Sequence, residues 1–247
     1  MKPVRILGLF SSAIVVALVL PQALSGQSWT FAVSQLGKQV GTASFNFVST
    51  SNGYESTSTV HVSMKGLEYA FSKTEQLSEA NQLQEVQLSA VVNGSAVNIV
   101  GVPDSAQFLL NISANGRNST ARLDAHPGAV FMPDFDPGAL QTLLDLGASR
   151  NNRDLWAIFP KQSGNQPAST SPVQLATYPD EQGTLDGQPI AVHHLIATIA
   201  GAATDLFAGP QNQLLQAELP QQGFALIRTG FVIKPPAKAG AAPAPPQ

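Results

Sequence analysis

Four histidines have the side chains best suited to metal binding or acid–base chemistry in this chain. His193 and His194 are adjacent in an alternating apolar segment, which predicts a strand that points their rings to opposite faces. His61 lies between two valines and should face solvent, and His126 precedes a proline in a predicted loop. Neither His-x-His nor His-Glu-x-x-His spacing occurs. We therefore expect no metal site and no cofactor.

Two aspartates are spaced so that they could support catalysis or bind a cation. Asp134 and Asp136 have the spacing of an acid–base pair or of a site for a hard cation. The competing interpretation is that Asp136 caps a helix beginning at Pro137 and that Asp134 is solvated. Asp180-Glu181 is similarly interpreted as an exposed turn. The chain has no Gly-x-Ser-x-Gly elbow and no glycine-rich phosphate loop. We expect no catalytic residue, and a hydrolytic enzyme is the least favoured function.

The N-terminus has the pattern of a bacterial export signal. Lys2 and Arg5 precede an apolar run from Ile6 to Leu20, which has about the length of a signal-peptide core and is short for a spanning helix. Small residues at Ala23 and Ser25 predict cleavage before Gly26, and cleavage before Gln27 is a near alternative. The competing interpretation is an uncleaved membrane anchor. The expected location is the periplasm or the secreted medium of a bacterium, with no membrane span after cleavage.

Composition excludes one further class of partner. The chain has 13 basic and 16 acidic residues, so loss of Lys2 and Arg5 leaves a net charge of −5. No basic run is present, and this argues against nucleic-acid binding. The absence of cysteine means that no disulfide can stabilise the mature protein. Residues 26–234 are long enough for a single β domain, and the Pro/Ala-rich residues 235–247 predict a disordered tail.

Alternating apolar residues dominate residues 26–234 and predict antiparallel strands. Typical runs are Trp29, Phe31 and Val33, then Val86, Leu88, Ala90 and Val92. Hairpin turns of type I′ are predicted at four pairs, and a further two-residue turn is predicted at Gly37-Lys38. The four pairs are Asn52-Gly53, Asn93-Gly94, Asn115-Gly116 and Asp186-Gly187. Long consecutive hairpins with one apolar face predict an all-β fold, a curved antiparallel sheet that forms a half-barrel or open barrel.

One segment predicts a helix. Leu140, Leu143 and Leu144 fall on one helical stripe, after the Asp136-Pro137 start signal and before Gly147, the predicted C-cap. The leucine stripe must pack against the sheet. A short strand, Leu155 to Phe159, follows the helix.

The order of these signals resembles a known kind of protein. Trp29-Thr30-Phe31-Ala32-Val33, Gly37-Lys38-Gln39-Val40-Gly41, and Phe45 and Phe47 open the pattern, and Asp136-Pro137 and Ala217-Glu218-Leu219-Pro220 continue it. The chain resembles an uncharacterised secreted bacterial family of unknown function that is similar to periplasmic half-barrel proteins, the lipoprotein carriers. The resemblance implies a curved sheet with a helix near its concave side, and it implies no catalytic residue.

A set of apolar side chains on neighbouring strands predicts a binding surface. We expect them to share the concave face, where an acyl chain or another apolar ligand could bind unless the helix leucines fill the space. The favoured function is an envelope module that binds an apolar small molecule, a lipid or a lipidated partner. The alternative is a structural or interaction protein of the envelope that contacts another envelope protein and binds no ligand. The candidate ligand-binding residues are Phe45, Phe47, Met64, Tyr69 and Phe71.

Overall fold

The computed structural model describes residues 27–160 and 167–234, in which one helix and seventeen strands are found. The predicted signal peptide (residues 1–25) and the predicted tail (residues 235–247) lie outside the described residues. In the described part, no helix combines the length and the apolar character needed to cross a membrane.

The first half of the chain is an antiparallel meander in which each strand pairs with the next. Apolar side chains on alternate positions place one face of these strands in the core. The strands are β1 (Gln27–Gln35), β2 (Lys38–Thr50), β3 (Gly53–Met64), β4 (Leu67–Leu77), β5 (Leu83–Val92), β6 (Ser95–Asp104), β7 (Gln107–Ala114) and β8 (Arg117–Asp124).

The second half extends the sheet from the other side of β1, which pairs with β16 as well as with β2. From β16 the antiparallel order continues through β15, β14, β13, β11 and β10, and β9 pairs with β10 in parallel. Strands β12 and β17 pair with each other, and β12 also pairs with the first half of β13. The strands are β9 (Ala129–Phe131), β10 (Leu155–Pro160), β11 (Ala168–Thr177), β12 (Glu181–Leu185), β13 (Gln188–Ile199), β14 (Ala202–Ala208), β15 (Leu214–Leu219), β16 (Phe224–Arg228) and β17 (Phe231–Ile233).

The sheet is strongly curved and does not close into a barrel. Register shifts between Val33 and Ser34, between Gln76 and Leu77, and between Phe207 and Ala208 mark irregularities that bend strands locally. The predicted all-β fold with a curved, open antiparallel sheet and one helix is therefore confirmed.

Helix α1 (Pro137–Arg150) lies against the concave face. The Asp136 side chain caps its first turn, and Pro137 occupies the first helical position, as predicted. The predicted C-cap was wrong, because the helix passes Gly147 and ends at Arg150, and the C-cap is Asn151, whose φ of 51° is left-handed. A Cβ at position 147 would lie 2.6 Å from Leu175 Cδ1, so close packing, and not capping, accounts for glycine there.

The helix leucines complete one large core. Leu140, Leu143 and Leu144 are buried together with the inward side chains of β1–β8. A second, small core lies between β12 and β17 and the outer face of β13–β15, and it contains Val192, Phe207, Leu215 and Phe231. Much of strands β14 and β15 is therefore buried on both faces of the sheet.

Candidate functional site

The predicted ligand-binding side chains are mostly core residues. Phe45, Tyr69 and Phe71 are buried, and Phe47 and Met64 are partly buried against the same core. Phe45 packs edge-on against Trp29, and Tyr69 packs edge-on against Phe71. Of the five, Tyr69 lines a small cavity of about 60 Å³. The binding role of these five residues stays a prediction.

The concave face also contains a buried polar cluster, consisting of Ser56, Ser58, Lys73, Glu75 and Asp136. In the pairing of β3 with β4, Ser58 faces Lys73 and Ser56 faces Glu75. The helix start places Asp136 over them, and Gly138 packs so tightly that a Cβ would lie 2.3 Å from Ser58 Oγ. All five side chains are at most 2% exposed.

Lys73 joins the strand to the helix. Its Nζ lies 2.8 Å from Glu75 Oε2 and 2.5 Å from Asp136 Oδ2. The other oxygen of Asp136, Oδ1, accepts a hydrogen bond of 2.9 Å from the Gly138 N–H. Within the described residues, Ser56 Oγ and Ser58 Oγ have no hydrogen-bond partner. One carboxylate thus caps the helix and neutralises a buried ammonium group.

The cluster shifts the proton affinities of its members. Burial alone would lower the pKa of Lys73, but the charges of Asp136 and Glu75 outweigh it and raise that pKa. Burial raises the pKa of Glu75 to about 7, even though Lys73 acts in the opposite direction. Because Lys73 is 0% exposed, a substrate cannot reach its amine. The cluster therefore fixes the position of the helix start on β4.

A cavity of about 220 Å³ opens beside the helix start, where the β13–β14 and β15–β16 turns form the edge of the sheet. We call it the rim cavity. Most of its lining is apolar, and Asp134 and Asp136 are its ionisable residues. The lining residues are Met132, Pro133, Asp134, Phe135, Asp136, Leu140, Phe159, Ile199, Ala200, Ala202, Thr204, Leu219, Gln222 and Leu226.

The segment Met132–Asp136 separates the rim cavity from a smaller cavity of about 60 Å³ that lies over β4–β6. Both cavities touch Met132, Pro133, Asp134 and Phe159. In the middle of the segment, Phe135 has a φ of 61°, a left-handed conformation that is rare for a bulky side chain. Its ring packs against Phe224 at 4.9 Å and against Tyr69 at 6.2 Å. These aromatic contacts stabilise the unfavourable backbone conformation.

Asp134 differs from Asp136 in its surroundings. Its side chain is exposed at the surface, but nearby protein atoms displace enough water to raise the pKa of the carboxyl group. Burial, followed by the negative charges of Asp134 and Asp136, raises the pKa of Tyr69 strongly. The potential around Met132–Asp136 is therefore negative. The interpretation of Asp136 as a cap is confirmed, and the expected exposure of Asp134 is found.

The histidines occupy separate places. His61 is exposed on β3, and His126 stacks on Trp156 with ring centroids 3.7 Å apart. On β13, His193 faces Asp180 at 3.0 Å, and His194 Nε2 lies 2.9 Å from Asp205 Oδ1. Within the part of the chain that the structure describes, no three His, Asp or Glu side chains are grouped to hold a metal ion.

Sequence reasoning missed the polar cluster and the rim cavity. The alternation of β4 continues from Tyr69 and Phe71 to Lys73 and Glu75, so two charged residues were placed on the apolar face by the same rule. That conflict between charge and position was the available signal. No such signal in the sequence indicated the rim cavity, because the cavity is built from turns and strand ends that are distant in sequence.

Comparison of the chain with protein-family models, with curated proteins and with solved structures finds no match. The resemblance to a secreted family of half-barrel proteins therefore stays a prediction, and the site must be interpreted from its own geometry.

Proposed function

We propose that the protein is an exported, non-catalytic module of the bacterial envelope that binds an apolar ligand or the apolar group of a lipidated partner. The observation that carries the proposal is the rim cavity, an apolar recess with a few polar groups at the edge of the curved sheet. Ligand sites in proteins are typically concave, largely apolar and few in number. The N-terminal export pattern supports the envelope location.

The size of the cavity limits the ligand. Its volume of about 220 Å³ is below the range of roughly 300–1,000 Å³ that is typical of drug-sized ligands. A group of about seven water-sized units fits, since one water occupies about 30 Å³ of liquid. A small apolar molecule or the end of a longer chain meets that limit. A larger ligand requires displacement of Met132–Asp136, which would join the two cavities.

Native mass spectrometry of the mature protein from a periplasmic extract tests the proposal. We expect a stoichiometric extra mass, which organic extraction identifies as an apolar molecule. The variant Ala202→Phe places a ring in the rim cavity and should remove the extra mass. Ala191→Phe, on an exposed position of β13 outside the cavity, is the matched control and should retain it. A bare polypeptide mass that persists after incubation with envelope lipids would show the proposal to be wrong.

A second candidate function, an interaction protein of the envelope, is favoured by a different observation. Strand β8 pairs with β7 and faces β11 across an open cleft of about 470 Å³ with a mostly polar lining. Strand edges bind extended segments of other chains by adding a strand. A photo-crosslinker at Thr120 in the cleft should then capture one protein stoichiometrically, and a crosslinker at the exposed Gln87 should not. Equal labelling from both positions would argue against this function.

A further inference from the structure

The charges around the rim cavity select among apolar ligands. Both ionisable residues in its lining, Asp134 and Asp136, are acids, and none of the lining residues is Lys or Arg. Behind Asp136, Lys73 is the single cation in a cluster that also contains Glu75. The ammonium group of Lys73 is already shared by two carboxylates, so it contributes little positive potential to the cavity.

The two aspartates have different freedom to bind a ligand. Both oxygens of Asp136 are engaged, one with the Gly138 N–H and the other with Lys73. Asp134, in contrast, has neither an ion pair nor a side-chain hydrogen bond with any described residue. It lies where the rim cavity meets solvent, on an apolar wall formed by Met132, Pro133 and Phe159. A carboxylate in this position is placed to accept the polar end of a molecule whose apolar part fills the cavity.

We infer that the rim cavity takes a cationic amphiphile, a molecule with a short apolar chain and an ammonium end, and that the ammonium lies against the Asp134 carboxylate. This inference rests on the proposed function and names its ligand class. A carboxylate-bearing chain such as a fatty acid would place its negative charge beside Asp134 and is disfavoured by repulsion. A neutral alcohol of equal length fills the same space without either effect and therefore binds with intermediate affinity.

Partial desolvation of the Asp134 carboxyl group supports the inference. Nearby protein atoms raise the pKa of Asp134, so its charged form gains from a cation that replaces the lost water. The pair would remain near the surface, where such interactions are worth a factor of about five in affinity. Because surface pairs are screened by ions, the preference should shrink as the salt concentration rises.

The test uses three probes with the same chain: octyltrimethylammonium, octanol and octanoate. Isothermal titration of the mature protein at low ionic strength should rank them in that order of affinity. Asp134→Asn should lower the affinity for octyltrimethylammonium about five-fold, to that of octanol, and leave octanol unchanged. Asp124→Asn, which removes an exposed carboxylate on β8, is the matched control and should change none of the three.

The outcomes separate the two claims. Binding of octanoate as tight as that of octyltrimethylammonium, or an unchanged ammonium affinity in Asp134→Asn, would overturn the ligand class and leave the apolar-binding function in place. No measurable binding of any probe to the wild-type protein would contradict the proposed function and this inference together.

Discussion

Removal of the Lys73 ammonium should strongly destabilise the fold. Lys73→Met keeps the length and the apolar stem of the side chain but leaves Glu75 and Asp136 facing each other without a cation. Breaking a fully buried ion pair by removing one partner costs about 3–5 kcal/mol. That is a large part of the roughly 5–15 kcal/mol by which a domain is typically stable. We therefore expect a lower urea midpoint, by about 1–2 M for a typical urea dependence.

Urea unfolding followed by circular dichroism measures the effect, and two further variants interpret it. Lys38→Met removes a lysine from an exposed position and should change stability by less than about 0.5 kcal/mol. The triple variant Lys73→Met, Glu75→Leu and Asp136→Asn removes all three charges and retains a capping side chain, so it should recover most of the loss. A Lys73→Met protein as stable as Lys38→Met would refute the view that the ion cluster fixes the helix start.

Three other predictions concern the same region. Gly138→Ala should destabilise the protein by about 1–3 kcal/mol in urea unfolding, because the new Cβ would lie 2.3 Å from Ser58 Oγ. Adding Ser58→Ala removes that oxygen and should reverse much of the loss. If the free-energy changes of the two substitutions simply add in the double variant, the clash is not the cause. Burial raises the pKa of Glu75 to about 7 from an ordinary value near 4.5, so the folded state binds the Glu75 proton more tightly than the unfolded state does. The stability that this proton contributes is full below about pH 4.5 and is lost as the pH rises through 7. Glu75→Gln should therefore gain stability relative to wild type between pH 5 and pH 8, by roughly 1–3 kcal/mol, and a pH-independent difference would show that Glu75 does not titrate there. Finally, the raised pKa of Tyr69 means that ultraviolet titration should show one tyrosine that ionises only on alkaline unfolding, and its signal should vanish in Tyr69→Phe.

Much of the fold could be predicted because strand alternation and turn chemistry are local. Asn93-Gly94, Asn115-Gly116 and Asp186-Gly187 have positive φ at both residues, as a type I′ turn requires. At Asn52-Gly53 only Gly53 has positive φ, so that prediction was wrong; a Cβ at Gly53 would lie 2.1 Å from the Leu77 carbonyl, and this approach explains the glycine. The first turn is Leu36-Gly37 and not Gly37-Lys38, because Leu36 adopts the left-handed conformation and Lys38 pairs with Gln35.

The candidate site was less predictable because it depends on contacts between distant segments. The strand rule correctly placed Tyr69 and Phe71 inward but could not show that Phe135 packs against Tyr69. It also could not show how much of the concave space the helix leucines fill. Charge on an apolar face, as at Lys73, is the one local sign that a buried partner must exist elsewhere in the chain. Its partner Asp136 is 63 residues away, and sequence alone indicates only that it caps a helix.

The difference between the two aspartates separates what the fold requires from what a ligand would select. The start of helix α1 carries a partial positive charge and unpaired N–H groups, so an acid at position 136 is explained by capping and by Lys73. No comparable structural need explains Asp134, since its carboxylate contributes neither a cap nor an ion pair to the described structure and its charge even disfavours ionisation of Tyr69. A structural requirement at Asp134 would appear as lost stability in Asp134→Asn, whereas a ligand requirement would appear as altered probe affinity without loss of stability. We expect the second pattern, in which Asp134 determines which ligand binds at the rim of the cavity and is not required by the core beneath it.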